Sequence, residues 1–148
     1  QTVAAAPAPF LSLGLVSAQW LSHALPSLVA ATLSVDLSRD ALLHCDLRSD
    51  NLCLRDGKAL LIDWNYACLG NPDFDIAFWL PSLATEGGGL PESILPEAPG
   101  LAALVSGFFA CRAGLPLIPQ APRVRHIQQA QLSAALPWAI RALGLPTP

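Results

Sequence analysis

The stretch from Leu42 to Ser82 reads LLHCDLRSDNLCLRDGKALLIDWNYACLGNPDFDIAFWLPS, and its first half decides the fold. Two short apolar runs, Leu52 to Leu54 and Leu60 to Ile62, flank Arg55-Asp56-Gly57-Lys58. Asp-Gly between apolar runs is a strong signal for a tight β-hairpin, because the favoured turn needs a left-handed backbone at both central residues. Folding about that turn brings Asn51 and Asp63 to the same open end, within about one rung of each other. The loop that holds His44 and Asp46 runs directly into this end, so the side-chain oxygens of Asp46, Asn51 and Asp63 are expected to line one shallow cleft.

Helices are expected on both sides. Upstream, Ser17 to about Ser34 carries Trp20, Leu21, Leu25, Leu28 and Val29 near helical spacing, with Pro26 as a possible kink. Asp36 to Asp40 reads as a polar turn. Downstream, Gly70-Asn71-Pro72-Asp73 reads as a turn, with Asp73 placed to cap a helix starting near Phe74. Thr85 to Gly100 is rich in Gly and Pro and is expected to be a loop. Leu101 to Ala113 reads as an apolar helix ending at Gly114. Pro122 to about Leu143 reads as a last helix, closed by Gly144, with a kink at Pro137. Residues 1–9 read as a flexible, Ala/Pro-rich lead-in to one domain over 10–148. The expected class is α+β, mostly helical, with a small β-hairpin.

Composition narrows the function classes. The 148 residues are 53% hydrophobic and 13% charged, which suits one folded domain with a real core and argues against disorder. The net charge of −3 and the scattered basic residues, with Lys58 the only lysine, give no basic face for nucleic acid. The same charge gives mild support to a cationic small substrate. Cys45, Cys53, Cys68 and Cys111 form no C-x-x-C pair, so a zinc ribbon is not expected. Reduced thiols in a cytoplasmic protein are the expectation. No Asp, Glu, Lys or Arg precedes Asp36, and Phe10 to Val35 exceeds the ~20 residues a membrane span needs. Gln19, His23, Pro26 and several serines interrupt it, so a buried helix is expected instead of a membrane segment. A chain that starts at Gln1 and lacks methionine reads as a fragment or a processed product.

His44-Cys45-Asp46-Leu47-Arg48-Ser49-Asp50-Asn51 fits H-x-D-x-x-x-x-N, and Ile62-Asp63-Trp64 follows at the far side of the hairpin. In kinases an Asp in such a loop accepts or orients the substrate hydroxyl proton, while the Asn and the later Asp hold Mg²⁺. Mg²⁺ prefers hard oxygen ligands and keeps part of its water and phosphate shell, so two side chains suffice. Together with Gly70-Asn71-Pro72-Asp73-Phe74-Asp75-Ile76-Ala77, the stretch resembles the aminoglycoside phosphotransferase family, which includes choline kinase-like enzymes. Those proteins show H-G-D-x-x-x-x-N, a hairpin, I-D-W/F and G-x-P-x-x-D-L-A. The strong likeness covers Leu42 to about Leu83.

The resemblance implies a protein-kinase-like large, C-terminal lobe and ATP-dependent phosphoryl transfer to a hydroxyl of a small molecule such as an aminoglycoside or choline. It implies Asp46 as the catalytic residue, Asn51 and Asp63 as ligands of Mg²⁺ and hence contacts of ATP, and His44 as a brace of the loop (44–51). Asp75 would support that loop from below, and Arg48 would face phosphate. Residues 62–64 form the metal Asp segment. Two departures stand out: Cys45 replaces the usual Gly, and Asn65 stands where Glu is frequent. No Gly-rich loop precedes His44, and Lys58 lies in the hairpin turn, where it cannot be the strand lysine that pins ATP. The small N-terminal lobe is therefore read as absent, and the chain alone as inactive. Its uncovered surface, with Leu11, Leu13, Leu15, Leu52 and Leu54, is expected to bind a separate N-lobe or to self-associate. The alternatives are a catalytically dead remnant or small-molecule binding module of the same fold, and a metal-dependent hydrolase using His44, Asp46 and Asp63.

Overall fold

The computed structural model describes residues 2–148. Helix α1 (Ala8–Leu11) and helix α2 (Ala18–Leu33) come first, followed by strand β1 (Ala41–Leu43). A 3₁₀ turn (Ser49–Asn51) leads into strands β2 (Leu52–Arg55) and β3 (Lys58–Leu61). Strand β4 (Cys68–Gly70) is followed by α3 (Asp73–Thr85), α4 (Pro91–Ile94), α5 (Pro99–Ala113) and α6 (Arg123–Ala142). The class is α+β, mostly helical, with two separate two-stranded antiparallel sheets, β1-β4 and β2-β3.

The hairpin forms as its turn chemistry dictates. Arg55 pairs with Lys58, and Asp56 and Gly57 both take left-handed backbones, with φ of 50° and 72°. That is the geometry of a two-residue primed turn. The β1-β4 sheet was not legible in the same way. Leu43 pairs with Cys68 and Ala41 with Gly70, joining three-residue strands far apart in the chain. No local turn announces such a pairing.

The helical body is organised around α5, which packs against α1, α2, α3 and α6. Its buried residues lie on nearly every side, including Leu101, Val105, Phe109 and four alanines, so it is a core helix with little amphipathic character. Leu132, Leu136 and Trp138 of α6 and Trp20, Leu21 and Ala24 of α2 complete the core. Ser17 caps α2 by accepting the N–H of Trp20 at 3.0 Å, and the Trp20 indole N–H donates to the carbonyl of Pro146 at 2.7 Å. The C-terminal tail is thereby tied to α2. Among the described residues no helix is long and apolar enough to cross a membrane.

Several expectations need correction. Asp73 does not cap α3: it is the first helical residue, and Asn71 supplies the oxygen, its Oδ1 accepting the Asp73 N–H at 3.1 Å. The Asn71 amide also donates to the Asp36 carbonyl at 3.1 Å, which holds it in a buried position. The stretch read as a loop over Thr85 to Gly100 contains α4 and the first two residues of α5, with proline at the start of each. Proline suits that position because its missing N–H would have no helical partner. Gly144 ends α6 in the left-handed conformation expected of it, whereas Gly114 has φ of −90°. Gly114 is required sterically: a Cβ there would meet the Pro9 carbonyl oxygen at 1.7 Å. Of the segment read as a flexible lead-in, Gln1 lies outside the described residues, and Val3 packs against the core. Leu11 and Leu13, expected on an uncovered surface, also pack on the core, because α1 lies against α5.

Candidate active site

The site is built where the loop after β1, the open end of the hairpin and the first turn of α3 meet. Asp75 lies beneath the loop. Its carboxylate accepts the backbone N–H of His44 at 2.6 Å through Oδ2 and that of Cys45 at 2.7 Å through Oδ1. Two buried peptide donors are satisfied by one side chain, which fixes the orientation of the loop at its start.

His44 is buried, with 1% exposure. Its Nε2 lies 2.7 Å from the carbonyl oxygen of Ile62, so Nε2 carries the proton and donates. Nδ1 has no partner, and the ring packs against Trp64 with centroids 4.7 Å apart. The imidazole therefore links the loop to the residue directly before Asp63. Nε2 is thereby committed to a carbonyl, and Nδ1 is enclosed.

Asn51 is likewise buried, and its Nδ2 donates to the Asp46 carbonyl at 2.9 Å and to Asp46 Oδ2 at 3.1 Å. The amide nitrogen holds Asp46, which leaves Asn51 Oδ1 as an unused oxygen. The hairpin ladder continues one step beyond β3, with the Ile62 N–H donating to the Asn51 carbonyl at 3.0 Å. Asp63 follows at once, exposed, with φ of 62° and its Oδ1 accepting from the Asn65 amide. A left-handed backbone at a non-glycine residue is uncommon, and Asp is among the side chains that tolerate it.

Arg48 pairs with Asp50, its Nε donating to Asp50 Oδ1 at 2.9 Å, and its Nη1 lies 3.9 Å from Asp46 Oδ1. The hydrogen bond from Arg48 holds the Asp50 carboxyl below the usual carboxylate range. In return, Asp50 first, and then the charges of Asp46 and Asp63, hold the Arg48 guanidinium above its ordinary range. One guanidinium thus feels all three carboxylates. Ser49 donates to Glu86 at 2.7 Å, anchoring the 3₁₀ turn to the end of α3.

Cys45, in the position where glycine is usual, has φ of 63°. Its Sγ lies 3.5 Å from that of Cys68 on β4. Burial, the neighbouring Cys68 thiol and the charge of Asp75 push the Cys45 thiol up to about 12. The Cys45–Cys68 proximity was missed in the sequence, because it depends on the β1-β4 pairing.

A cavity of about 190 Å³ opens beside Asp46 and Arg48, walled by Phe78 of α3, Phe108 and Phe109 of α5, and Val124, Gln128 and Gln131 of α6. Neither Asn51 nor Asp63 lines it. The oxygens of Asp46, Asn51 and Asp63 had been expected in one shallow cleft. Asp46 alone faces the cavity; Asn51 is turned beneath the loop toward Asp46, and Asp63 stands at the exposed hairpin end. The aromatic and amide walls carried no signal in the sequence, since three separate helices contribute them.

No group of three or more His, Cys, Asp and Glu residues that could hold a metal occurs among the described residues. Asn51 Oδ1 and the Asp63 carboxylate are hard oxygens of the type Mg²⁺ prefers, and their backbones lie one hairpin step apart, on either side of the Ile62–Asn51 bond.

A family model for the phosphotransferase enzyme family, APH, matches residues 4–100. The chain belongs to this phosphotransferase family. Asp46, Asn51, Asp63 and Asp75 all fall within the match, whereas α6 and nearly all of α5 lie beyond it. Among solved structures, the chain is similar to a thermostable mutant of aminoglycoside phosphotransferase APH(4)-Ia in ternary complex with AMP-PNP and hygromycin B. The identity is 20%, the TM-score 0.46, and the likeness covers 96% of this chain and 47% of that one. The chain thus spans about half the length of that phosphotransferase. No curated protein matches the chain at a significant level.

Proposed function

We propose that this chain is the catalytic, C-terminal lobe of an ATP-dependent kinase that phosphorylates a hydroxyl of a small molecule in the cytoplasm. The observation that carries the reading is the double hydrogen bond from the Asn51 amide to Asp46, with Asp63 directly following Ile62, whose N–H bonds the Asn51 carbonyl. A proton acceptor and two metal-type oxygens are thereby held on one scaffold. Asp46 orients the acceptor hydroxyl and takes its proton as the hydroxyl oxygen bonds to the γ-phosphorus. The bond from that phosphorus to the β–γ bridging oxygen breaks, and ADP leaves. Mg²⁺, when bound by Asn51 and Asp63, supplies charge neutralisation on the phosphate oxygens. Asp75 and His44 position the loop, so catalysis rests on orientation and electrostatics.

A second reading is a remnant or binding module that keeps the fold without turnover. It is favoured by the separation of Asp63, exposed at the hairpin end, from the cavity that Asp46 lines. Both readings agree that the 148-residue chain alone transfers no measurable phosphate, because nothing in it pins a triphosphate. They differ at the metal. Titration of Mn²⁺ into the isotope-labelled chain should broaden the amide signals of Asp46, Asn51 and Asp63 before any others, and Asp63→Asn should weaken that effect by about tenfold or more. Broadening that begins elsewhere, or that survives Asp63→Asn unchanged, would overturn the catalytic-lobe reading.

A further inference from the structure

Two of the four cysteines touch beside the loop that carries Asp46. Cys45 Sγ and Cys68 Sγ lie 3.5 Å apart, although the residues are 23 positions apart in sequence. The β1-β4 sheet makes the contact. Leu43 is opposite Cys68 in its register, and Cys45 lies two residues beyond Leu43, where the chain leaves the strand with φ of 63°. Glycine would take that backbone without strain, so the thiol is carried there at a conformational cost. The other two thiols have no such neighbour: Cys111 Sγ donates to the Phe108 carbonyl at 3.3 Å within α5, and Cys53 stands exposed on β2.

The two sulfurs are unequal in access. Cys68 is exposed and open to a reagent from solvent, whereas Cys45 is partly enclosed. Burial first, then the Cys68 thiol and the charge of Asp75, push the Cys45 thiol up to about 12, so Cys45 is a poor first nucleophile. A disulfide places its sulfurs about 2.05 Å apart, and the remaining approach of about 1.5 Å is within what rotation of the exposed Cys68 side chain can supply.

We propose that Cys45 and Cys68 form a reversible disulfide site for a low-molecular-weight disulfide such as glutathione disulfide, with Cys68 as the entry thiol and Cys45 as the resolving one. The Cys68 thiol gives its proton to solvent, and its sulfur attacks one sulfur of glutathione disulfide. The S–S bond of that reagent breaks, and one glutathione leaves and takes up a proton. Cys45 then loses its proton, and its sulfur attacks Cys68 Sγ. The bond from Cys68 to the second glutathione breaks, and that glutathione also leaves as a thiol. The two cysteines are oxidised and one glutathione disulfide is reduced to two thiols. The second step is helped by the first, because a Cys68 sulfur held in a mixed disulfide no longer carries the proton or the charge that discourages ionisation of Cys45.

The bond closes a loop over residues 45–68, which contains Asp46, Asn51, the hairpin and Asp63. It ties the residue directly before Asp46 to β4, while the Cys45 N–H is held from below by Asp75. Disulfides in a reducing compartment are usually transient and serve sensing or catalysis, which suits a pair of this kind. The site goes beyond the phosphotransfer reading and does not depend on it, since neither metal nor nucleotide enters its chemistry.

The test is peptide mass mapping of the reduced, folded 148-residue chain after exposure to glutathione disulfide, with remaining thiols blocked by alkylation. The main product should be a linked pair of peptides containing Cys45 and Cys68, lighter by two hydrogens and restored by dithiothreitol. Glutathione should appear on Cys68 before the link forms. In Cys45→Ser that adduct should persist at least about tenfold longer than in the parent, and in Cys68→Ser Cys45 should stay unmodified. The link should still form when Cys53 and Cys111 are both replaced by serine. Thermal unfolding shows which variants are folded, and the parent map decides alone where one is not. A folded parent chain that gives no Cys45–Cys68 link overturns the proposal. So does a mixture of pairings like that formed in urea, or a link that disappears without Cys53 and Cys111. Glutathione found first on Cys45 overturns the assignment of the two roles.

Discussion

The carboxylate of Asp75 accepts the backbone N–H of His44 at 2.6 Å across 31 residues of sequence, and its second oxygen accepts from Cys45 at 2.7 Å. A carboxylate can satisfy both donors, but an amide cannot, since one of its two positions is itself a donor. Asp75→Asn should therefore leave one peptide N–H without an acceptor and cost about 1–3 kcal/mol of stability in urea denaturation. Asp73→Asn, on the same helical turn with a carboxylate that makes no such bond, should stay within about 0.5 kcal/mol of the parent. Equal effects of the two substitutions would remove the clamp role assigned to Asp75.

His44 joins the loop to the strand that precedes Asp63. His44→Phe keeps a ring against Trp64 but leaves the Ile62 carbonyl without its donor. The expected cost is about 1–3 kcal/mol, with the amide shifts of Ile62, Asp63 and Trp64 moving most in the NMR spectrum. Shifts confined to residues 41–46 would mean that the imidazole does not transmit position to the Asp63 segment.

Cys45 should be the least reactive thiol at the site. With its thiol pushed up to about 12 by burial, by Cys68 and by Asp75, very little thiolate exists at pH 8. Iodoacetamide labelling followed by mass spectrometry should modify the exposed Cys53 well before Cys45. The linked stability has a definite sign. The folded thiol binds its proton more tightly than the unfolded thiol, whose pKa is about 8.5. Stability from this group is complete below pH 8.5 and is lost as pH rises toward 12. A rise in stability over that alkaline window, in Cys45-containing protein compared with Cys45→Ser, would contradict the assignment.

Apolar side chains are exposed along both sheets. Leu54 is 80% exposed on the hairpin, and the cross-strand pair Leu42 and Leu69 is 65% and 68% exposed on the other sheet. Exposed apolar patches of this kind promote association. We expect the isolated chain to self-associate, or to take up an added N-terminal lobe from a related full-length enzyme, in sedimentation velocity. Replacing Leu42, Leu54 and Leu69 with Lys should return it to a monomer. A parent chain that sediments as a monomer at all concentrations and gains nothing from the added lobe would sink this expectation.

The hairpin was legible from sequence, and the reason is local. Asp56-Gly57 selects a turn whose register then places the flanking residues, with no help from the rest of the molecule. The helices were legible where apolar spacing was long, as in α2 and α6, and not where proline starts short ones, as in α4. Tertiary structure alone decided the rest. The contact of Cys45 with Cys68 and the packing of Leu11 and Leu13 depend on elements meeting across long loops, and the support of the loop by Asp75 was implied only through the family resemblance. Hydrophobic burial drives that meeting without direction, so no short motif records it. The cavity beside Asp46 belongs to the same class: Phe78, Phe108 and Phe109 are ordinary helix residues in sequence, and only the packing of α3, α5 and α6 gathers them around it.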